Sequence, residues 1–173
     1  LYLSSLPDDI SELQITDCDL TDLTGIKPYY SLQRLVFFDC RYLTSLHGLE
    51  DLPTAFGNGK KLNLEINSCQ RLTDYSALEG TYLSFLKLSN VYSFPDMNSL
   101  GKVNHLCIEY IDGLNDLSFL EGINQGNGID RLSLIALYDL YDLTPLKNIK
   151  GNHLEVPNHL AGQAEELVNE GFF

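Results

Sequence analysis

At 173 residues and 44% apolar composition, the chain is long enough to bury a sizeable core and too apolar for a disordered segment. Acidic residues outnumber basic ones by 24 to 11, a formal charge of −13, so the summed field repels nucleic acid and anionic lipid. The longest apolar runs fall far below the roughly 20 residues of a membrane span, which excludes insertion by a single helix.

Taken in order, Leu1-Tyr2-Leu3 reads as a strand fragment and Leu6-Pro7 as a turn, so residues 1–9 are expected to be an abbreviated first unit or the remnant of a cap. The chain opens on Leu1 with no charged-then-apolar leader behind it, as a mature form or a fragment would. From Ile10 a unit recurs in which two apolar residues stand two apart, as in a half-buried strand, and are followed by a small apolar slot and then apolar residues about every third position. Its most regular copy is residues 32–49, with Leu32, Leu35, Phe37, Cys40, Leu43, Leu46 and Leu49 inward. The other copies have strand pairs Leu13/Ile15, Leu64/Ile66, Leu86/Leu88, Leu106/Ile108 and Leu132/Leu134, with slots Cys18, Cys69, Val91, Ile111 and Leu137.

The spacing of three after each slot suits 3₁₀ or extended turns better than an α-helix. Two insertions interrupt the rhythm: residues 51–61, expected to protrude, and residues 122–128. Both carry Gly-Asn-Gly, at 57–59 and 126–128, and are expected on one rim. A last strand, Leu154-Glu155-Val156, precedes a capping helix over 158–173. Asn158 is its expected N-cap, Gly171 its stop, and Leu160, Ala164, Leu167 and Val168 its inward face.

Chemistry-bearing residues form few patterns. Cys18, Cys40 and Cys69 share one slot and should stack as buried thiols, without the close pairs of a zinc site. The four histidines make no metal-binding motif, and Gly57-Asn58-Gly59-Lys60-Lys61 lacks phosphate-loop spacing, so no cofactor or metal is expected. His105 and Cys107, two apart on one strand and both outward, lack the third group that a nucleophile and its base require. Aspartates around 17–19, 112–116 and 139–142 read as solvated turn residues that help keep the chain soluble and monomeric.

The positions alternating outward line one surface. One column reads Glu12, Arg34, Asn63, Phe85, His105, Arg131, His153, more basic than the chain as a whole. Aromatic residues with arginine are the types enriched at binding hot spots. The candidate partner-binding set is therefore Arg34, Phe38, Asp39, Phe85, Lys87, His105, Tyr110, Arg131 and Ile135.

The pattern L-x-x-L-x-L-x-x-N/C-x-x-L in residues 32–49 resembles the leucine-rich repeat, and the likeness spans about residues 10–156. Residues 6–23 are similar to the short repeats of secreted bacterial effectors, and the Leu-x-Gly-Leu ending at 46–49 looks like internalins. The resemblance implies an α/β solenoid over 10–157 with a curved parallel sheet on its concave face, thin turns on its convex side and a C-terminal cap. It also implies a non-enzymatic scaffold that binds a protein on the concave face, with a secreted or cell-surface bacterial setting favoured over a cytoplasmic one. The alternative is the substrate-recognition arm of a larger effector-type enzyme.

Overall fold

Wherever two apolar residues stand two apart ahead of a slot, a β-strand forms, because alternation puts both side chains on one face. The computed structural model describes residues 3–55 and 61–173. Its strands are β1 (Glu12–Thr16), β2 (Arg34–Phe38), β3 (Leu62–Asn67), β4 (Tyr82–Ser89), β5 (Lys102–Glu109), β6 (Arg131–Ile135) and β7 (Leu154–Glu155). They form one seven-stranded parallel sheet in chain order.

Register stacks the inward residues into ladders, Leu13, Leu35, Leu64, Leu86, Leu106, Leu132, Leu154 beside Ile15, Phe37, Ile66, Leu88, Ile108, Leu134. From Leu35 to Leu132 the first ladder is within 1% of full burial. Leu13, on the edge strand, is only half-buried. The ladder shifts once. Leu62 stands two residues before Leu64, whereas Leu83 stands three before Leu86, and this one-residue deficit produces a bulge between Leu62 and Asn63.

Six of the seven strands end in the same way. Asp17, Asp39, Ser68, Asn90, Tyr110 and Ala136 follow the strands with φ of 43 to 56°, in the left-handed region. The N–H of each of the first five donates to a carbonyl on the next strand, as from Asp39 to Asn67 at 3.0 Å. Asp and Asn tolerate this conformation, while Ser68, Tyr110 and Ala136 hold it against their preference. Asp39 and Tyr110 are thus turn residues rather than the strand residues expected.

The chain returns through 3₁₀ turns, as the spacing of three predicts, at Leu49–Asp51, Ser76–Leu78, Ser118–Leu120 and Thr144–Asn148. A side-chain acceptor opens each return. Asp22, Asp74, Asp96, Asp116 and Asp142 accept from the N–H two residues on at 2.8 to 3.0 Å, and the Ser45 hydroxyl does so for His47. These bonds draw the carboxyl groups of Asp22, Asp116 and Asp142 below the ordinary range, and that of Asp74 is lowered first by the Ser45 hydroxyl at 2.7 Å and then by Ser76. Some of the aspartates expected merely to be solvated therefore shape the turns.

Several expectations need correction. Leu3 belongs to a 3₁₀ turn, Leu3–Ser5, rather than a strand, and residues 1–2 lie outside the described residues. The first insertion does not simply protrude: Leu52, Thr54 and Ala55 are buried, because the apolar residues of this stretch fall toward the core. Its Gly-Asn-Gly lies outside the described residues. In the second insertion Asn124, at φ 54°, is 2% exposed and its amide bonds both backbone groups of Val103, at 2.7 and 2.8 Å. One side chain thus replaces a missing strand partner.

At the C-terminus a 3₁₀ turn, Asn158–Leu160, precedes α1 (Ala161–Asn169), so Asn158 is not the helix N-cap. Gly171 stops the helix at φ 83°, with Gly171 N–H bonding Val168 and Phe172 N–H bonding Leu167. Leu160 and Leu167 are buried but Val168 is 52% exposed, since eight residues past Leu160 it has rotated about 80° off that face.

Candidate functional site

The outward face of the sheet has three columns, set by register. The first is Glu12, Arg34, Asn63, Phe85, His105, Arg131, with His153 alongside. The second is Gln14, Val36, Glu65, Lys87, Cys107, Ser133, Glu155, and the third is Thr16, Phe38, Asn67, Ser89, Glu109, Ile135. Outward does not mean exposed here. Val36, Ser89, Cys107 and Ser133 are buried between longer neighbours, because close-packed columns cover their small members.

Of the candidate residues, Phe38 and Tyr110 are 48% and 57% exposed, while Phe85 and Ile135 are half-buried. Phe85 packs tilted against His105 with ring centroids 4.8 Å apart. The cations are engaged within the sheet. Arg34 Nε lies 2.8 Å from Glu65, Lys87 Nζ 2.6 Å from Glu109, and Arg131 Nη2 3.1 Å from Glu155. Asp39, beyond the strand, takes two bonds from Arg41 at 2.9 and 3.2 Å. The basic column is therefore neutralised by Glu65 and Glu155 from the column beside it, acids absent from the candidate set. Both stand at outward positions, so alternation would have found them.

His105, Arg131, Ser133 and Glu155 form the densest polar group. Ser133 donates to Glu155 at 3.0 Å and lies within 3.1 Å of His105 Nε2. With its only proton committed, Ser133 accepts from His105 and Arg131. Burial pushes the His105 pKa down, and Arg131 adds to this, so the ring is neutral near pH 7. A nucleophile needs its hydroxyl to donate to the base, with the acid behind that base. This group has the reverse order, and its serine is 2% exposed. It braces the sheet face.

The slot cysteines stack as expected. Cys18, half-buried, donates from Sγ to Cys40 Sγ at 3.6 Å, while Cys40 Sγ bonds the Ile15 carbonyl at 3.4 Å and Cys69 Sγ the Asn67 carbonyl at 3.4 Å. All four cysteines are free thiols. The neighbouring Cys69 thiol and burial hold Cys40 protonated, and burial pushes the Cys107 thiol up to about 11. Among the described residues no group of three or more His, Cys, Asp or Glu side chains could hold a metal ion. Nor is any helix there long and apolar enough to cross a membrane.

The turns after the strands carry aromatics outside the candidate set. Tyr42, Tyr92 and Tyr138 are 52 to 74% exposed, one or two residues past the slots Cys40, Val91 and Leu137. Period-two reasoning confined to the strands passes over them. Comparison with protein-family models, with curated proteins and with solved structures finds no match to this chain.

Proposed function

We propose that the chain is a leucine-rich-repeat solenoid whose sheet face recognises a protein partner without chemistry of its own. The fold reading rests on strands paired in chain order, one slot per unit and 3₁₀ returns in place of helices. The functional reading rests on one observation about charge. In a chain of −13, the three outward columns hold three cations and four carboxylates, and every one of the cations is paired within the sheet.

A near-neutral face in a strongly acidic molecule is the surface that a partner approaches with least repulsion. Its pre-paired side chains lose little further freedom on binding, and Phe38 and Tyr110 supply exposed aromatic area.

Affinity capture from bacterial and host-cell lysates tests this reading, with the full chain run beside a Phe38→Ser, Phe85→Ser, Tyr110→Ser triple variant. A protein retained by the first and lost by the second supports the sheet face as the binding surface. Equal retention by both, or none by the unaltered chain, contradicts it.

A further inference from the structure

Among the described residues, Arg71 has no carboxylate and no hydrogen-bond acceptor as partner, in contrast to the three arginines at 34, 41 and 131. It lines a cavity of about 490 Å³ with Asp39, Arg41, Ser68, Gln70 and Asn90, where the turns of three consecutive units meet beyond the ends of β2, β3 and β4.

The wall of this cavity is ordered before anything enters. Asp39, Ser68 and Asn90 are the left-handed residues that close those strands. Asn90 Nδ2 donates to Ser68 Oγ at 3.1 Å, and Gln70 Nε2 donates to Asn90 Oδ1 at 3.3 Å. Ser68 accepts there, so its own proton stays available, as does the second N–H of Gln70. Arg41 is half-spent on Asp39 and is also attracted by Asp17 outside the lining, so the lining itself holds two guanidinium groups and one carboxylate, a charge of +1 in a chain of −13.

We propose that this cavity is an anion subsite that takes a single carboxylate side chain from an acidic segment of the protein partner. The planar fork of Arg71 suits a carboxylate in two-point contact, with Ser68 and Gln70 as flanking donors. A local charge of +1 matches a monoanion. A phosphoryl dianion in the same place would overcompensate it and meet Asp39. Tyr42 stands two residues past its slot, as Arg71 does in the next unit, and Tyr92 one residue past its own, both exposed. The proposal rests on the protein-recognition reading and adds what part of the partner docks at the rim.

The test is a nuclear magnetic resonance titration of the full chain with acetylated, amidated Glu-Glu-Tyr-Glu-Glu and its Gln-Gln-Tyr-Gln-Gln and phosphotyrosine counterparts. The expected result is saturable shifts at the Arg71 side-chain N–H and the Ser68, Gln70 and Asn90 amides, with the glutamate peptide only. Arg71→Gln should weaken binding about tenfold, while Arg71→Lys restores part of it and Lys147→Gln, at a cation paired with Glu170 away from both faces, leaves it unchanged. Absent shifts, equal binding by the glutamine peptide, tighter binding by the phosphopeptide, or full affinity in Arg71→Gln overturns the subsite. Shifts confined to Phe85 and His105 also overturn it, while leaving the sheet-face reading intact.

Discussion

Lys87 reaches Glu109 diagonally, two residues beyond its register partner Cys107 on the next strand, with Nζ 2.6 Å from Oε1. The same diagonal joins Arg34 to Glu65 and Arg131 to Glu155. Long side chains span this offset, and three repetitions make it a rule of the face. The Lys87 and Glu109 side chains are 24% and 14% exposed, so their attraction is only partly screened. A double-mutant cycle with Lys87→Met and Glu109→Gln, read by urea unfolding, should give a coupling of about 1 kcal/mol that shrinks in high salt. Zero coupling would remove the pair from the account.

Leu106 sits fully buried at the middle of the first inward ladder, between Leu86 and Leu132. Each repeat shares its burial with its neighbours, so one cavity weakens two interfaces. Leu106→Ala should lose about 2 to 5 kcal/mol of stability in chemical unfolding. A loss below about 1 kcal/mol is inconsistent with the ladder.

Asn124 has a duty that no apolar residue can fill, since it satisfies the N–H and the C=O of Val103 together. Asn124→Ala orphans both and should cost about 2 to 4 kcal/mol in the same assay. Asn124→Asp keeps the acceptor but sets a buried carboxylate oxygen against the Val103 and Gly128 carbonyls, and should cost at least as much as Asn124→Ala.

Acid should loosen the returns. Asp22, Asp74, Asp116 and Asp142 have pKa values lowered in the folded state by bonds from Thr24, Ser45, Ser118 and Thr144 respectively. A lowered folded pKa stabilises above the unfolded value of about 3.9, and the contribution disappears as pH falls through the folded value. Thermal midpoints should therefore fall below about pH 4 in the native chain. Replacing all four by Asn, which still accepts the bond, should flatten that acid limb, and an unchanged slope would contradict the assignment.

The sheet was readable because its ladders obey period two: Leu35 does stand beside Leu64, and Phe37 beside Ile66. Residues answering to three dimensions were not. Neutralisation of Arg34 depends on Glu65, which is 31 residues away and becomes a neighbour only once register is known. Asn124 looked like a loop residue because its partner Val103 is a backbone, silent in composition. Val168 follows Leu160 and Ala164 at an i, i+4 spacing, but the drift of a 3.6-residue turn carries it off their face. One signal was plainly present and unread: an acceptor two residues ahead of a polar residue opens each return, as in Asp74-Tyr75-Ser76 and Asp116-Leu117-Ser118.

The sheet face as the recognition surface is tested most directly by titrating the purified captured protein against the unaltered chain and the Phe38→Ser, Phe85→Ser, Tyr110→Ser variant, with thermal unfolding recorded for both. The account predicts affinity weaker by more than about 100-fold with the unfolding transition retained. Equal affinity for a folded variant would contradict it.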